Sequence, residues 1–191
     1  GGANSDRELW KSNGTLDGTQ RVKDINLFGS SINWYNAAPR SPYYIIVDNI
    51  IYFTANDGTH GEELWRSDGT DLGTYMISDI NPNGDSWPQR FSQFEGHIFF
   101  SAYPEGTTHE LKVWKTDGTP NGTTMINPDG GASFPDRFFP TDNYLYFSAI
   151  HNQYGRELWK SDGTAEGTSI VADINPNGDS INTGNNARYD P

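Results

Sequence analysis

Two copies of a short polar loop contain the residues best suited to chemistry. They read Asp79-Ile80-Asn81-Pro82-Asn83-Gly84-Asp85 and Asp173-Ile174-Asn175-Pro176-Asn177-Gly178-Asp179. Side-chain oxygens at loop positions 1, 3 and 5, with glycine at position 6, match the first half of a calcium-binding loop. The pattern therefore predicts calcium as a candidate cofactor. The predicted metal ligands are Asp79, Asn81, Asn83, Asp85, Asp173, Asn175, Asn177 and Asp179.

The same loops have an equally simple explanation without a metal. The bidentate glutamate expected at position 12 is replaced by Arg90 in one copy and by Gly184 in the other. An Asx turn followed by a Pro-Asn-Gly turn, connecting two strands, accounts for the same residues. Both interpretations stay open at the level of sequence.

Three aromatic residues are the predicted ligand-binding residues, because an indole or phenol ring stacks well on the C–H-rich face of a sugar. They are Trp34, Tyr35 and Trp87, and the two tryptophans follow the last strand of a predicted unit. The alternative is that these rings cover the edge of a sheet.

Composition argues against several classes of function. The formal net charge of -12 would repel nucleic acid, whose binding depends on Lys and Arg neutralising phosphates. No apolar run is long enough for membrane insertion. No nucleophile, nucleotide or zinc motif occurs, and carboxylate pairs are expected by chance among 25 acidic residues. We therefore expect a protein that is not an enzyme.

These candidate residues belong to a repeated framework. Four related segments begin at Glu8, Glu63, Lys112 and Glu157, and three of them read Glu-Leu-Trp, followed by Asp/Asn-Gly-Thr and Gly-Thr. The four tryptophans are 55, 49 and 45 residues apart, a spacing typical of propeller blades. One tryptophan at the same phase of every unit predicts a packing role, and Asp-Gly-Thr predicts a tight turn. The repeated tryptophans are Trp10, Trp65, Trp114 and Trp159.

Each complete unit predicts about four short antiparallel strands and almost no helix. An aromatic hairpin comes first, as in 43–55, and the tryptophan strand and a final strand follow. The predicted fold is an all-β, propeller-like repeat array in a single domain. A half-unit occupies 1–33, complete units occupy about 34–88, 89–131 and 132–180, and a tail occupies 181–191. The leading half-unit lacks an aromatic hairpin, so we expect another chain or further sequence to complete it.

The repeat resembles the ELWxxDGT repeat of large secreted bacterial proteins, sometimes labelled hyalin-like. The resemblance covers residues 7–180, although Lys112-Val113 replaces Glu-Leu in the third copy. It implies export to the cell surface or the extracellular space, a propeller-like fold, and no catalytic residues. The expected function is an extracellular, non-catalytic module for binding, adhesion or extracellular structure, with partners among other protein chains, copies of itself or surface glycans.

Three alternatives remain open alongside this function. The first is a calcium-supported, carbohydrate-binding lectin. The second is a filament subunit in which a neighbouring protomer completes the half-unit by strand complementation. The third, and least favoured, is an enzyme that degrades a polymer.

Overall fold

The described part of the chain folds into β-strands and connecting turns. The structure, a computed structural model, describes residues 7–32, 43–107, 109–126 and 131–181. Within these residues it contains 14 strands and no helix, which confirms the all-β prediction. It follows that the described residues include no helix long and apolar enough to cross a membrane.

The strands form four sheets in chain order, and every neighbouring pair is antiparallel. A two-stranded sheet contains β1 (Trp10–Lys11) and β2 (Gln20–Arg21). The next sheet contains β3 (Tyr44–Val47), β4 (Ile50–Asn56), β5 (Glu62–Ser67) and β6 (Tyr75–Ser78). Another contains β7 (Gln89–Phe94), β8 (His97–Ala102), β9 (Lys112–Thr116) and β10 (Thr124–Met125). The last contains β11 (Ser133–Pro140), β12 (Leu145–His151), β13 (Gly155–Ser161) and β14 (Ser169–Ala172).

The predicted aromatic hairpins form at the predicted turns. Asp48 and Asn49 join β3 to β4 with φ values of +51° and +63°. Glu95 and Gly96 join β7 to β8 with φ values of +50° and +71°. Two successive positive φ values match the twist of a two-residue hairpin, which explains why Asp, Asn and Gly occur there.

The core lies between successive sheets, because neighbouring residues of each aromatic strand point to opposite faces. Phe53 of β4 packs with Ile25 of the preceding unit, whereas Tyr52 packs with Phe100 of the following unit. Phe99 packs in the same way against Phe147 and its neighbours in the last sheet. Because both faces of these strands are buried, they are almost continuously apolar.

Two of the repeated tryptophans are deeply buried, as the spacing predicted. The exposed fraction is 6% for Trp65 and 2% for Trp159, and Trp114 is partly buried. Trp10 is different, with 57% of its surface exposed. Among the described residues, no four-stranded sheet precedes the two-stranded sheet that contains Trp10. Packing by a preceding layer, rather than the motif itself, therefore determines whether this tryptophan is buried.

Candidate ligand-binding site

The three Asp-Gly-Thr segments and the equivalent Asn-Gly-Thr segment form turns with the same hydrogen bonds, which we call the outer turns. In the second copy, Asp68 Oδ1 accepts hydrogen bonds from Thr70 N at 2.9 Å and Thr70 Oγ1 at 2.7 Å. Thr70 Oγ1 then accepts from Gly73 N at 3.0 Å, and Thr74 Oγ1 donates to Thr70 O at 2.6 Å. The same bonds recur in the turns that start at Asn13, Asp117 and Asp162.

The polar side chains of the outer turns form hydrogen bonds within the turns themselves. Hydrogen bonds from the threonines hold the pKa values of Asp68, Asp117 and Asp162 below the ordinary range. There is no space for a larger residue at Gly73, because a Cβ atom there would lie 2.1 Å from Asp68 Oδ1. The turns therefore stabilise the scaffold, with Oδ1 of each Asp or Asn engaged in hydrogen bonds within its own turn.

The glutamate of Glu-Leu-Trp anchors the polar loop that follows each unit. Glu63 is fully buried and accepts hydrogen bonds from Ile80 N at 2.7 Å, Ser86 N at 3.1 Å and Ser86 Oγ at 2.6 Å. Glu8 makes the equivalent bonds to Ile25 N and to the amide and hydroxyl of Ser31. Glu157 does the same with Ile174 N and Ser180 Oγ. The sequence shows that this glutamate is repeated, but only the structure shows which groups donate hydrogen bonds to it.

Burial raises the pKa of the Glu63 carboxyl to about 7, with a smaller contribution in the same direction from the nearby Asp79. The three donors act in the opposite direction, because they favour the charged form. Glu63 therefore titrates near neutral pH while it holds the loop in place.

The first predicted calcium loop is held largely by its own hydrogen bonds. Asp85 Oδ1 accepts from Glu62 N at 2.8 Å, and Asn81 Nδ2 donates to Asp85 O at 3.1 Å. Gly84 N donates to Asn81 O at 2.9 Å, and Asn83 Nδ2 donates to Glu105 Oε1 at 3.1 Å. Asp79 Oδ1 and Asn81 Oδ1 are buried and have no hydrogen-bond partner among the described residues. These two oxygens are the ones available to a cation.

The second loop repeats the same internal bonds with more exposure. Asp179 Oδ1 accepts from Arg156 N at 2.7 Å, and Asn175 Nδ2 donates to Asp179 O at 3.0 Å. Asn175 Oδ1 accepts from Asn177 N at 3.4 Å, which closes an Asx turn. Asp173 is exposed to solvent. Within the described residues, no group of three or more His, Cys, Asp or Glu side chains converges on a point where a metal ion would fit.

A cleft of about 400 Å³ lies between the last two sheets, beside the outer turn of Asp162. Its lining includes His97, Lys115 and Asp142. Lys115 Nζ already donates to Gly163 O at 2.8 Å, and Asp162 is occupied within its turn. The cleft therefore contains charges of both signs, and its Lys115 and Asp162 side chains are engaged in hydrogen bonds within the protein.

Two equivalent segments, one leading into β7 and one within β11, depart from regular geometry. They read Trp87-Pro88-Gln89-Arg90 and Phe134-Pro135-Asp136-Arg137, and we call them the bulged segments, because the strand register shifts at each. The φ values are +48° at Trp87, +59° at Arg90, +49° at Phe134 and +57° at Arg137. A left-handed backbone at a residue with a Cβ atom costs roughly 1–3 kcal/mol and is found most often at functional sites.

A buried serine hydroxyl at the equivalent position of the next strand donates a hydrogen bond to each bulged segment. Ser101 Oγ on β8 donates to Gln89 O at 3.2 Å, and Ser148 Oγ on β12 donates to Asp136 O at 3.3 Å. The two bulges are therefore one repeated local structure, not two unrelated distortions.

Three arginines gather around the bulged segments, and we call Arg90, Arg137 and Arg156 the arginine cluster. Arg90 Nε donates to Asp136 Oδ1 at 3.0 Å, and Arg137 Nε lies 3.9 Å from Asp136 Oδ2. Arg156 Nη1 donates to Phe134 O at 3.1 Å and to Ser148 Oγ at 3.3 Å. Burial lowers the pKa of Arg156, and Asp136 and Asp179 partly offset that effect. Among the described residues, no carboxylate oxygen lies within 4.0 Å of the Arg156 guanidinium.

Only one of the three predicted ligand-binding aromatics can be placed. Trp34 and Tyr35 lie outside the described residues. Trp87 is partly buried, begins the first bulged segment, and donates its backbone N–H to Glu62 O at 3.1 Å. Sequence analysis missed Arg90, Arg137 and Arg156. A signal for the first two was present, since Ser-Trp-Pro-Gln-Arg-Phe and Ser-Phe-Pro-Asp-Arg-Phe recur at the same place in two units.

Comparison with known proteins adds little to this geometry. No family model matches the chain, and no curated protein matches it. Among solved structures, the chain is similar to a Bifidobacterium bifidum s17 protein provisionally assigned as an exo-beta-1,3-galactanase, at 14% identity and a TM-score of 0.39. The match covers 68% of this chain, and the chain spans half the length of that structure. A likeness this weak transfers neither fold nor activity.

Proposed function

We propose that the protein is an extracellular bacterial repeat module that binds carbohydrate without catalysis, through its bulged segments. One observation carries the proposal: left-handed backbone occurs at an aromatic residue and at the arginine three positions later, twice, at equivalent positions of two units. The outer turns, in contrast, use their polar groups internally. Pairing an aromatic face with a fixed polar group suits a sugar ring with its hydroxyl groups.

We further propose that the sheets are blades of a propeller-like array. The supporting observation is that β3, β7 and β11, the first strand of each four-stranded sheet, contact one another in that order. In such an array the first strands lie nearest the axis, so the bulged segments would share one binding surface. The ELWxxDGT resemblance supports the same arrangement and an extracellular location.

Glycan-array binding of the whole chain tests the function. We expect binding to a subset of glycans, weakened about 2- to 10-fold by Trp87→Ala, because an aromatic stacking contact is worth about 0.5–1.5 kcal/mol. Lys23→Gln, on the distant two-stranded half-unit, is the matched surface control. Absence of binding to every glycan would refute the proposal, and turnover of any polysaccharide would replace it with an enzyme.

Calcium remains a proposal for the first polar loop, with a structural role. The unpartnered oxygens Asp79 Oδ1 and Asn81 Oδ1 support it, as does the proximity of the Glu63 and Asp79 carboxyls. A bound cation would raise the free energy of unfolding by RT ln(1 + [L]/Kd) and therefore also the unfolding temperature. Thermal unfolding with calcium and with chelator measures this, with Asp79→Asn as the variant expected to lose the effect. Identical curves would leave only the turn interpretation.

Self-association is a second candidate function, favoured by two exposed faces. Trp10 is 57% exposed where Trp65 and Trp159 are nearly buried, and Ile174 is 63% exposed where Ile25 and Ile80 are each 6% exposed. These positions form the two sides of the same contact between successive units. One copy's last sheet would therefore suit another copy's two-stranded sheet. Light scattering at rising concentration tests this, with Trp10→Ser expected to reduce the mass; a monomer at every concentration would exclude it.

A further inference from the structure

We propose that copies of this chain join head to tail, with the last sheet of one copy stacked on the Trp10 side of the two-stranded sheet of the next. This contact would continue the stacking of units from one molecule into another. It rests on the self-association proposed above, and it gives that association a direction and a register. The supporting observations are contacts that the chain repeats between its own units.

The apolar half of the contact is the packing of a repeated tryptophan against the preceding unit. Trp65 belongs to one core cluster with Ile25 of the preceding unit, and Trp159 belongs to another with Ile126. Between these two contacts, Trp114 packs against the cluster that contains Ile77 and its neighbours. The described residues therefore make the same apolar contact three times, between each unit and the next.

The last sheet exposes the side chains that the preceding sheets bury in this contact. We call Tyr146, Leu158, Val171 and Ile174 the tail face. Val171 is 44% exposed and Ile174 is 63% exposed, and Tyr146 and Leu158 are partly buried. In the two preceding sheets the exposed fraction at the equivalent positions does not exceed 7%; these positions are Tyr52, Leu64, Ile77, Ile80, Phe99, Val113 and Ile126. Covering the tail face would remove apolar surface from water, which is the main driving force for association.

The polar half of the contact is a hydrogen bond from a lysine to the outer turn of the following unit. Lys11 Nζ donates to Gly69 O at 2.7 Å, and Lys115 Nζ donates to Gly163 O at 2.8 Å. The same glycine lies close to a side chain of the preceding unit. A Cβ atom at Gly163 would lie 3.5 Å from Phe99 Cζ, for example. A lysine and an aromatic ring of one unit therefore meet one glycine of the next.

The first and last sheets each hold one half of this polar contact. Lys160 follows Trp159 as Lys11 follows Trp10, and its Nζ lies 4.8 Å from the ring centroid of Tyr144 in its own sheet. The equivalent glycine of the first unit is Gly14, and no described atom lies within 4 Å of a Cβ added there. In the head-to-tail contact, Lys160 Nζ would donate to Gly14 O of the next copy.

The two surfaces are unlike, so the contact has a direction. A contact between unlike surfaces extends into a ring if the rotation closes and into a filament if it does not. The two-stranded sheet offers only the tryptophan strand and the last strand of a unit, which makes the contact smaller than those between four-stranded sheets. Copies with a net charge of -12 also repel one another. We therefore expect association at high protein concentration and at a salt concentration that screens the repulsion.

Two variants that each block one surface test the direction. Trp10→Asp and Val171→Asp each place a charge where the contact must exclude water. Light scattering in about 0.5 M salt should show each variant alone as a monomer. An equimolar mixture should give a species of twice the chain mass, because one unblocked pair of surfaces remains. Leu72→Asp is the matched control and should associate like the unaltered chain, because Leu72 is 92% exposed in a unit that is stacked on both sides.

The lysine hydrogen bond gives a second comparison between equivalent positions. Lys160→Gln should weaken association about 3- to 10-fold, because it removes a charged donor at a partly exposed site, and should leave the unfolding temperature nearly unchanged. Lys115→Gln removes the equivalent bond inside the chain, so it should lower the unfolding temperature and leave association unchanged. The same effect on association in both variants would contradict the proposed register.

The possible outcomes separate this contact from self-association in general. A monomer of the unaltered chain at every concentration would overturn both. If the unaltered chain associates but the mixture stays monomeric, or if either variant alone associates as strongly as the unaltered chain, the contact is not head to tail and self-association still stands. If Val171→Asp does not fold, Ile174→Asp on the more exposed part of the tail face takes its place in the same comparison.

Discussion

The outer turns and the bulged segments use left-handed backbone in opposite ways. In the outer turns it falls on glycine, with φ between +85° and +92° at Gly69, Gly118 and Gly163, where the missing Cβ removes the cost. In the bulged segments it falls on tryptophan, phenylalanine and two arginines, where the cost is kept. The difference indicates that the most regular motif of this chain belongs to its scaffold, whereas the proposed binding surface lies where the backbone is strained.

Loss of the glutamate anchor should have the largest effect on the scaffold. Glu63→Ala would leave the N–H groups of Ile80 and Ser86 buried without an acceptor. We expect the free energy of unfolding to fall by about 3–4 kcal/mol, because each buried unpaired donor costs about 1–3 kcal/mol. Urea unfolding measures the loss, and Glu166→Ala, an exposed glutamate of an outer turn, should change little. A loss below about 1 kcal/mol would mean that the anchor is dispensable.

Adding a single methyl group at a glycine of an outer turn should cause the next largest loss of stability. Gly73→Ala would place Cβ 2.1 Å from Asp68 Oδ1 and so disrupt the turn. We expect about 2–3 kcal/mol of destabilisation with glycan binding retained once folded. Gly29→Ala is the matched control, since no atom lies within 4 Å of the added Cβ. Equal stability of the two variants would contradict the scaffold role of this turn.

Titration of Glu63 should make stability depend on pH within a defined window. Its pKa is about 7 in the folded chain, against the ordinary 4.5, so the folded state binds more protons between these values. The free energy of unfolding should therefore fall as the pH rises from about 4.5 to about 7, by about 3 kcal/mol at most. Glu63→Gln removes the titrating group, and its stability should vary less with pH over that window. An unchanged slope in Glu63→Gln would assign the pH dependence to other groups.

The smallest expected effect is a difference in stability between two variants of the second bulged segment. The informative result is which of the two variants is more stable. Arg137→Gly should relieve the left-handed strain and be about 1 kcal/mol more stable than Arg137→Ala, which keeps the strain. Both variants remove the same side chain, so their difference reports the backbone alone. Thermal unfolding compares them. If Arg137→Ala proves the more stable, strain is not stored at this position.

Much of the fold could be predicted from the sequence because its signals are local. Aromatic runs, turn pairs such as Asp48-Asn49 and the spacing of the tryptophans depend on residues close together in the chain, and the all-β prediction is confirmed. The burial of Trp10 could not be predicted in this way, because it depends on a layer packed against it. Likewise, the sequence showed which residues of the polar loops have side-chain oxygens. It did not show that Asp85 Oδ1 already accepts a hydrogen bond from Glu62 N.

By itself, the sequence determined the repeat, the strand order, the turn chemistry and the acidic character that disfavours polyanions. Only the tertiary structure decided which charges meet. Arg90 and Asp136 are 46 residues apart in the chain, and Arg156 reaches Phe134 O from a different strand. Such contacts arise from the stacking of one sheet on the next and from register shifts at two bulges. The repeated segments mark Arg90 and Arg137 in the sequence, but the contact between Arg90 and Asp136 depends on how the sheets stack and became visible only in three dimensions.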